Sequence, residues 1–208
     1  MSEDGSDGEM KQRHLTLAAC AVALAIAVVM GAACGGQGEV DVNFAEETVL
    51  PPSEETALPS DLVEHRSAEA AYSISYPEGW EIESRGSTGD SFTLFSSPAA
   101  PVATLVVACY KGENQTPDSL IRQDAAIVAR YGQGVVLLDQ AVPIEIAGGT
   151  GKQIMYTTSF AGLTIEHIVA YTVRGECGWR LGLSTYGSGT LRAYLSLFQQ
   201  VVASFRPD

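Results

Sequence analysis

Tyr72-Ser73-Ile74-Ser75-Tyr76-Pro77-Glu78-Gly79-Trp80 is the stretch on which the fold turns. Aromatic and β-branched residues alternate with serines, so Tyr72, Ile74 and Tyr76 share one face of a strand. Pro77-Glu78-Gly79 supplies turn geometry, and Trp80 returns a large apolar side chain toward a core. Downstream, 91–96 and 103–110 repeat the strand pattern. The period then changes. Thr116-Pro117-Asp118-Ser119 has a capping hydroxyl, proline at the first helical position and an acid in the first turn. Ile121, Ala125 and Val128 fall on one face, with Leu120, Ile127 and Tyr131 beside it, and Gly132 stops the helix. Strands are predicted over 135–146, 152–160 and 163–173, the last two joined at Ala161-Gly162. Arg174-Gly175-Glu176 then turns the chain into 177–184. Gly187 and Ser188 open a final helix whose stripe is Leu191, Tyr194, Leu195, Phe198 and Val202. Strands, helix, strands, helix make an α+β domain over 68–208, an antiparallel sheet flanked by helices.

The N-terminus reads differently. Lys11 and Arg13 precede a run, 15–33, without a charged residue, and the next base is Arg66. Such a run is an export signal, or an uncut membrane span, and the positive-inside preference places everything after Cys34 outside in either case. Gly31-Ala32-Ala33-Cys34-Gly35-Gly36 resembles the lipobox of bacterial lipoproteins, in which a peptidase cuts before an acylated cysteine. It departs from that pattern with Gly31 where leucine is common, and the ordinary small-x-small cleavage rule fits the same bond, so free secretion also stays open. The expected layout is a signal over 1–33, a lipidated Cys34 with a disordered acidic linker over 34–67, and the domain after it. The protein would then sit at the outer face of the cytoplasmic membrane, lipid-anchored.

The whole chain carries 25 acids and 12 bases, net −13. Between Gly35 and Ser67 there are eight acids against Arg66 alone, so much of the acidity belongs to the linker, where Pro51, Pro52 and Pro59 also interrupt any helix. No basic stripe exists for nucleic acid.

The opening motif, the hairpin from Ile165 to Leu183 and the closing Val202-Ala203-Ser204-Phe205 resemble the PsbP family, named for an extrinsic subunit of photosystem II and widespread among bacterial envelope lipoproteins. The resemblance spans residues 70–207 and implies a PsbP-like α/β/α sandwich. By analogy it also offers a role as accessory subunit of a photosynthetic membrane complex.

Reactive constellations are scarce. Ala147-Gly148-Gly149-Thr150-Gly151-Lys152-Gln153 lacks the first glycine and the metal-binding hydroxyl of a phosphate loop and joins strand to strand, so it reads as a hairpin turn. Gly187-Ser188-Gly189 lacks the flanking spacing of a nucleophile elbow and reads as a helix cap. Alternation from Leu163 to Val173 puts His167 on an apolar face, where a satisfied core histidine is expected, and turns Glu166 the other way. Cys20 leaves with the signal and Cys34 takes lipid. Cys109 and Cys177 remain as an even pair in an oxidising compartment, either a disulfide or two buried thiols. No catalytic, metal or cofactor residue is assigned. The expected function is a non-catalytic binding or assembly module for an envelope protein or small ligand, with a hydrolase using Glu166 or His167 as the weaker alternative. Arg180, Thr164 and Glu166, taken as exposed strand residues near the hairpin, are the expected partner surface.

Overall fold

The computed structural model describes residues 61–86, 90–98, 102–131, 133–137, 139–160 and 162–208. The signal run, the lipobox and the first part of the linker lie outside them.

Two sheets form, and every strand pair is antiparallel. Leu62–Ser67 (β1) pairs along the whole of Tyr72–Pro77 (β2), from Leu62↔Pro77 to Ser67↔Tyr72, and Arg206–Pro207 (β11) closes on the other side of β2. The larger sheet contains Glu81–Gly86 (β3), Asp90–Ser96 (β4), Ala103–Lys111 (β5), Gln133–Leu137 (β6), Val142–Ile146 (β7), Gly149–Phe160 (β8), Leu163–Arg174 (β9) and Cys177–Tyr186 (β10). Its order is β3-β4-β5-β10-β9-β8-β6, and β7 also pairs with β8.

Strand parity decides where the helices go. Tyr156, His167, Val169, Tyr171 and Arg180 share one face of the large sheet; Glu166, Ile168, Ala170, Leu181 and Leu183 share the other. Pro117–Tyr131 (α1) packs on the first face, against β6, β8, β9 and β10. Leu191–Ser204 (α2) packs on the second, together with β2, burying Leu191, Tyr194, Leu197, Phe198, Val201 and Val202 against Ile168, Ala170, Trp179, Leu181 and Leu183. The result is the α/β/α layering expected for the domain. Tyr72, Ile74 and Trp80 of the opening motif all enter the α2-side core, and each such buried side chain contributes about 1.5–3 kcal/mol. Tyr72 and Trp179 meet edge to face at 5.5 Å, and Phe205 stands 5.1 Å from Trp179.

Cys109 and Cys177 form a disulfide, with Cα atoms 5.5 Å apart and a sequence separation of 68. Cys109 faces Trp179 across the β5–β10 ladder, and Cys177 sits two residues back on the same face.

Three boundaries and one helix face differ from the sequence reading. The linker does not extend to residue 67: β1 occupies Leu62–Ser67, because its Glu64 and Arg66 are the outward members of an alternation whose Ser67 is buried. The strand expected over 135–146 is two strands, β6 and β7, which pair with successive halves of β8; exposed Asp139 and Gln140 lie between them. In α1 the buried stripe is Leu120, Asp124, Ile127 and Val128, and Ile121 and Ala125 are half-buried. Helix α2 begins at Leu191, after the Gly187-Ser188-Gly189 turn, where both glycines have positive φ. The glycine-rich stretch at 147–153 is a hairpin turn as expected, with Ala147 and Gly148 at φ 52° and 67°.

Candidate functional site

The densest group of ionisable side chains lies beneath α1. Asp124 comes from the buried stripe of the helix, Arg180 from the middle of β10, Tyr171 and His167 from β9, Tyr156 from β8. Glycines on β10 make the room. A Cβ at Gly182 would lie 2.6 Å from Arg180 Nη1, and one at Gly178 would lie 2.7 Å from Leu120 Cδ2. Glycine at these two positions gives the guanidinium a lane along the sheet and lets α1 approach the strand.

Arg180 Nε donates to Asp124 Oδ2 at 2.9 Å, and the Tyr171 hydroxyl donates to the same oxygen. Both charged side chains are over nine-tenths buried. Burial opposes the charge on Arg180, and the adjacent Asp124 carboxylate more than reverses that, so the guanidinium stays protonated. Burial, reinforced by the Asp124 charge, pushes the Tyr171 and Tyr156 phenols well up. His167 is the opposite case: burial, and then the positive Arg180, lower it to about 3. Its ring is stacked on Tyr156 with centroids 4.6 Å apart. Nε2 lies 2.9 Å from Thr158 Oγ1 and Nδ1 lies 2.8 Å from Ser184 Oγ. The imidazole is therefore neutral near pH 7 with both nitrogens bonded, the satisfied core histidine expected of it.

The expected partner surface needs correction. Arg180 and Glu166 are buried, at 6% and 4% exposure, and Thr164 is half-buried. A central strand of a sheet covered by helices on both sides has no wet face, so these strand residues point into the layers rather than to a partner. Glu166 has a specific task instead. Its Oε1 accepts from Gly189 N and its Oε2 from Leu191 N, both at 2.8 Å. Thr190, at the N-cap, makes no side-chain cap bond, its hydroxyl lying 2.8 Å from the Gly187 carbonyl and 2.9 Å from Thr185 Oγ1. A carboxylate from the sheet thus caps α2 and meets the positive end of the helix dipole.

Among the described residues, no three His, Cys, Asp or Glu side chains come together as a metal site. Several large apolar side chains are exposed: Ile82 on β3, Val142 on β7, and a group of Val135 and Val136 on β6 with Phe160 and Leu163 flanking the β8–β9 turn, each of these four 37–40% exposed and placed by register at one end of the sheet. The two edges of the large sheet contrast. β3 carries Glu81, Glu83 and Arg85, with an ion pair between Arg85 and Glu83; at the other edge, formed by β6 and β7 along β8, β7 carries the exposed Glu145 while β6, Gln133-Gly134-Val135-Val136-Leu137, has no charge. Charged edges resist strand addition and uncharged ones accept it.

No protein-family model and no curated protein sequence matches this chain. Solved structures share its fold. The solution structure of cyanobacterial PsbP from Synechocystis sp. PCC 6803 aligns with a TM-score of 0.55 at 17% identity, over 76% of this chain and 99% of that one. The Ran-binding protein Mog1p of Saccharomyces cerevisiae gives 0.54 at 10% identity, over 71% and 95%. A Pseudomonas aeruginosa protein of unknown function gives 0.50 at 18%, over 71% and 97%. The chain has the PsbP-like fold.

Proposed function

We propose that this protein is a non-catalytic binding or assembly module of the cell envelope, tethered at the outer face of the cytoplasmic membrane through an acylated Cys34. The observation that carries the binding reading is the contrast between its interior and its surface. The side chains with acid-base potential are engaged inside the layers: Asp124 and Arg180 with each other, Glu166 with the Gly189 and Leu191 amides, and His167 with the Thr158 and Ser184 hydroxyls. One exposed feature is the uncharged β6 stretch of a sheet edge, with apolar residues of the β8–β9 hairpin beside it. That edge suits an extended segment of a partner protein, added to β6 with main-chain hydrogen bonds and seated by Val136, Phe160 and Leu163. Mog1p, described as binding Ran, lends support that this scaffold can serve recognition.

The anchoring half of the proposal stands on Gly31 to Cys34 and the charge-free run before it. The test is co-purification from detergent-extracted envelopes, comparing the full-length chain with Phe160→Asp and Leu163→Asp. A partner recovered with the parent chain and lost with both variants, at unchanged melting temperature, is the expected result. A partner set unaffected by both variants contradicts the assigned surface, and turnover of an ester or glycoside that survives purification contradicts the non-catalytic reading.

A further inference from the structure

The Cys109–Cys177 disulfide joins two strands that the sheet already holds together. Cys109 stands opposite Trp179 and Cys177 opposite Lys111 in the β5–β10 ladder, so the bridge runs diagonally between neighbouring strands. β10 is paired with β9 along its other side, and Trp179, Leu181 and Leu183 are buried in the α2-side core. Beyond Cys177, the Gly112 amide donates to the Glu176 carbonyl at 3.3 Å. These contacts keep the two cysteines neighbours whether or not their sulfurs are joined. Access to the two is unequal. Cys109 is 3% exposed, between Ala108 at 1% and Tyr110 at 5%. Cys177 is half-buried and opens β10 directly after Arg174, Gly175 and Glu176, all three exposed.

We infer that this bridge is exchangeable in the folded domain, with Cys177 as the sulfur attacked and an external dithiol, of the kind carried by Cys-x-x-Cys oxidoreductases, as the reagent. Exchange needs a thiolate to reach a disulfide sulfur, and Cys177 is the one with an approach from solvent. The attacking thiolate bonds to Cys177 Sγ, and the Cys109 sulfur leaves with the electron pair of the old bond and takes a proton from solvent. The reagent's second thiol, deprotonated, then attacks the reagent's own sulfur in the mixed disulfide and expels Cys177 as thiolate. The bridge has gained two electrons and the reagent has become a disulfide. Burial of Cys109 is what calls for a dithiol. Its sulfur is released among buried residues and stays beside Cys177, so it returns to expel a single thiol before a second one arrives from solution. A tethered second thiol resolves the adduct first. Run in reverse, the same steps let an oxidised reagent close the bridge after β5 and β10 have paired.

The test uses the full-length chain without denaturant, dithiothreitol as the dithiol and glutathione as the monothiol at equal thiol concentration. Acid quench stops the exchange, and peptide mapping separates the two sulfurs from Cys20 and Cys34. Dithiothreitol is expected to reduce the bridge about tenfold or more faster than the chain unfolds, as timed by pulse proteolysis, with the circular dichroism of the sheet unchanged. Glutathione is expected to yield little reduced protein, and its captured adduct to sit on Cys177. Reduction no faster than unfolding, equal reduction by glutathione, or an adduct on Cys109 overturns the inference. Single variants read the asymmetry directly. In folded Cys109→Ala, Cys177 should react with iodoacetamide about tenfold or more faster than Cys109 does in folded Cys177→Ala, and equal rates contradict the assignment.

Discussion

Asp124→Ala removes one half of an ion pair whose two side chains are 5% and 8% exposed. Arg180 would be left charged in the interior, and breaking a buried pair from one side costs about 3–5 kcal/mol. The Tyr171 hydroxyl loses its acceptor too, adding about 1–3 kcal/mol. Against a total domain stability of about 5–15 kcal/mol, that single change removes a third or more. Asp124→Asn keeps the shape and removes the charge. Its carbonyl still accepts from Tyr171 and Arg180, while its amide falls where Asp124 Oδ1 has no partner, so the remaining loss combines the removed charge with an unsatisfied amide of about 1–3 kcal/mol. Replacing the group as a whole, Asp124→Leu with Arg180→Met and Tyr171→Phe, is expected to recover most of the loss, since apolar substitutes for a buried pair are often neutral. Urea unfolding at pH 7, followed by the fluorescence of Trp80 and Trp179, reads all four proteins. An Asp124→Ala cost under about 1 kcal/mol, or a triple variant no more stable than the single one, refutes the reasoning.

Three further outcomes follow from the same geometry. Cys109→Ala with Cys177→Ala should cost about 4 kcal/mol from the loop the bridge closes, seen as a lower melting temperature that reductant no longer changes. Glu166→Ala leaves two amides at the start of α2 without an acceptor; a loss of about 2–4 kcal/mol and faster hydrogen exchange at Gly189 and Leu191 are expected. His167 is held to about 3 when folded against 6.5 in the unfolded chain, so its contribution is complete above pH 6.5 and lost as pH falls toward 3, at about 1.4 kcal/mol per unit. Half-buried His65, also lowered by burial, adds to this in the same direction, and His167→Gln should flatten the acid limb of a stability–pH curve.

The elements that the sequence disclosed were those in which periodicity and burial agree. Tyr72, Ile74 and Trp80 are assigned to the core by alternation and a turn, whereas the cysteine count leaves Cys109 and Cys177 as a pair that is either a disulfide or two buried thiols, and the structure shows the disulfide. What stayed hidden involves polar residues inside. Asp124 sits at the i+4 position between Leu120 and Val128, so the stripe was legible, but an acid at its centre looks like a solvent-facing residue until Arg180 is known to lie opposite. Arg180 and Glu166 were placed outside by the same logic, which fails once both faces of the sheet are covered. The glycines on either side of Arg180 were the available sign, since glycine in a strand interior often marks a close approach. β1 was absorbed into the acidic linker because Glu64 and Arg66 dominate its composition, although the alternation from Val63 to Ser67 is that of a strand with one face inward.

The proposed role requires export and a tether, and both are read together in the intact mass of protein extracted from membranes, measured with and without reduction and thiol alkylation. The account predicts a chain beginning at diacylated Cys34, with Cys109 and Cys177 unreactive until reduced. A chain that retains residues 1–33, or one with two free thiols at these positions, contradicts it.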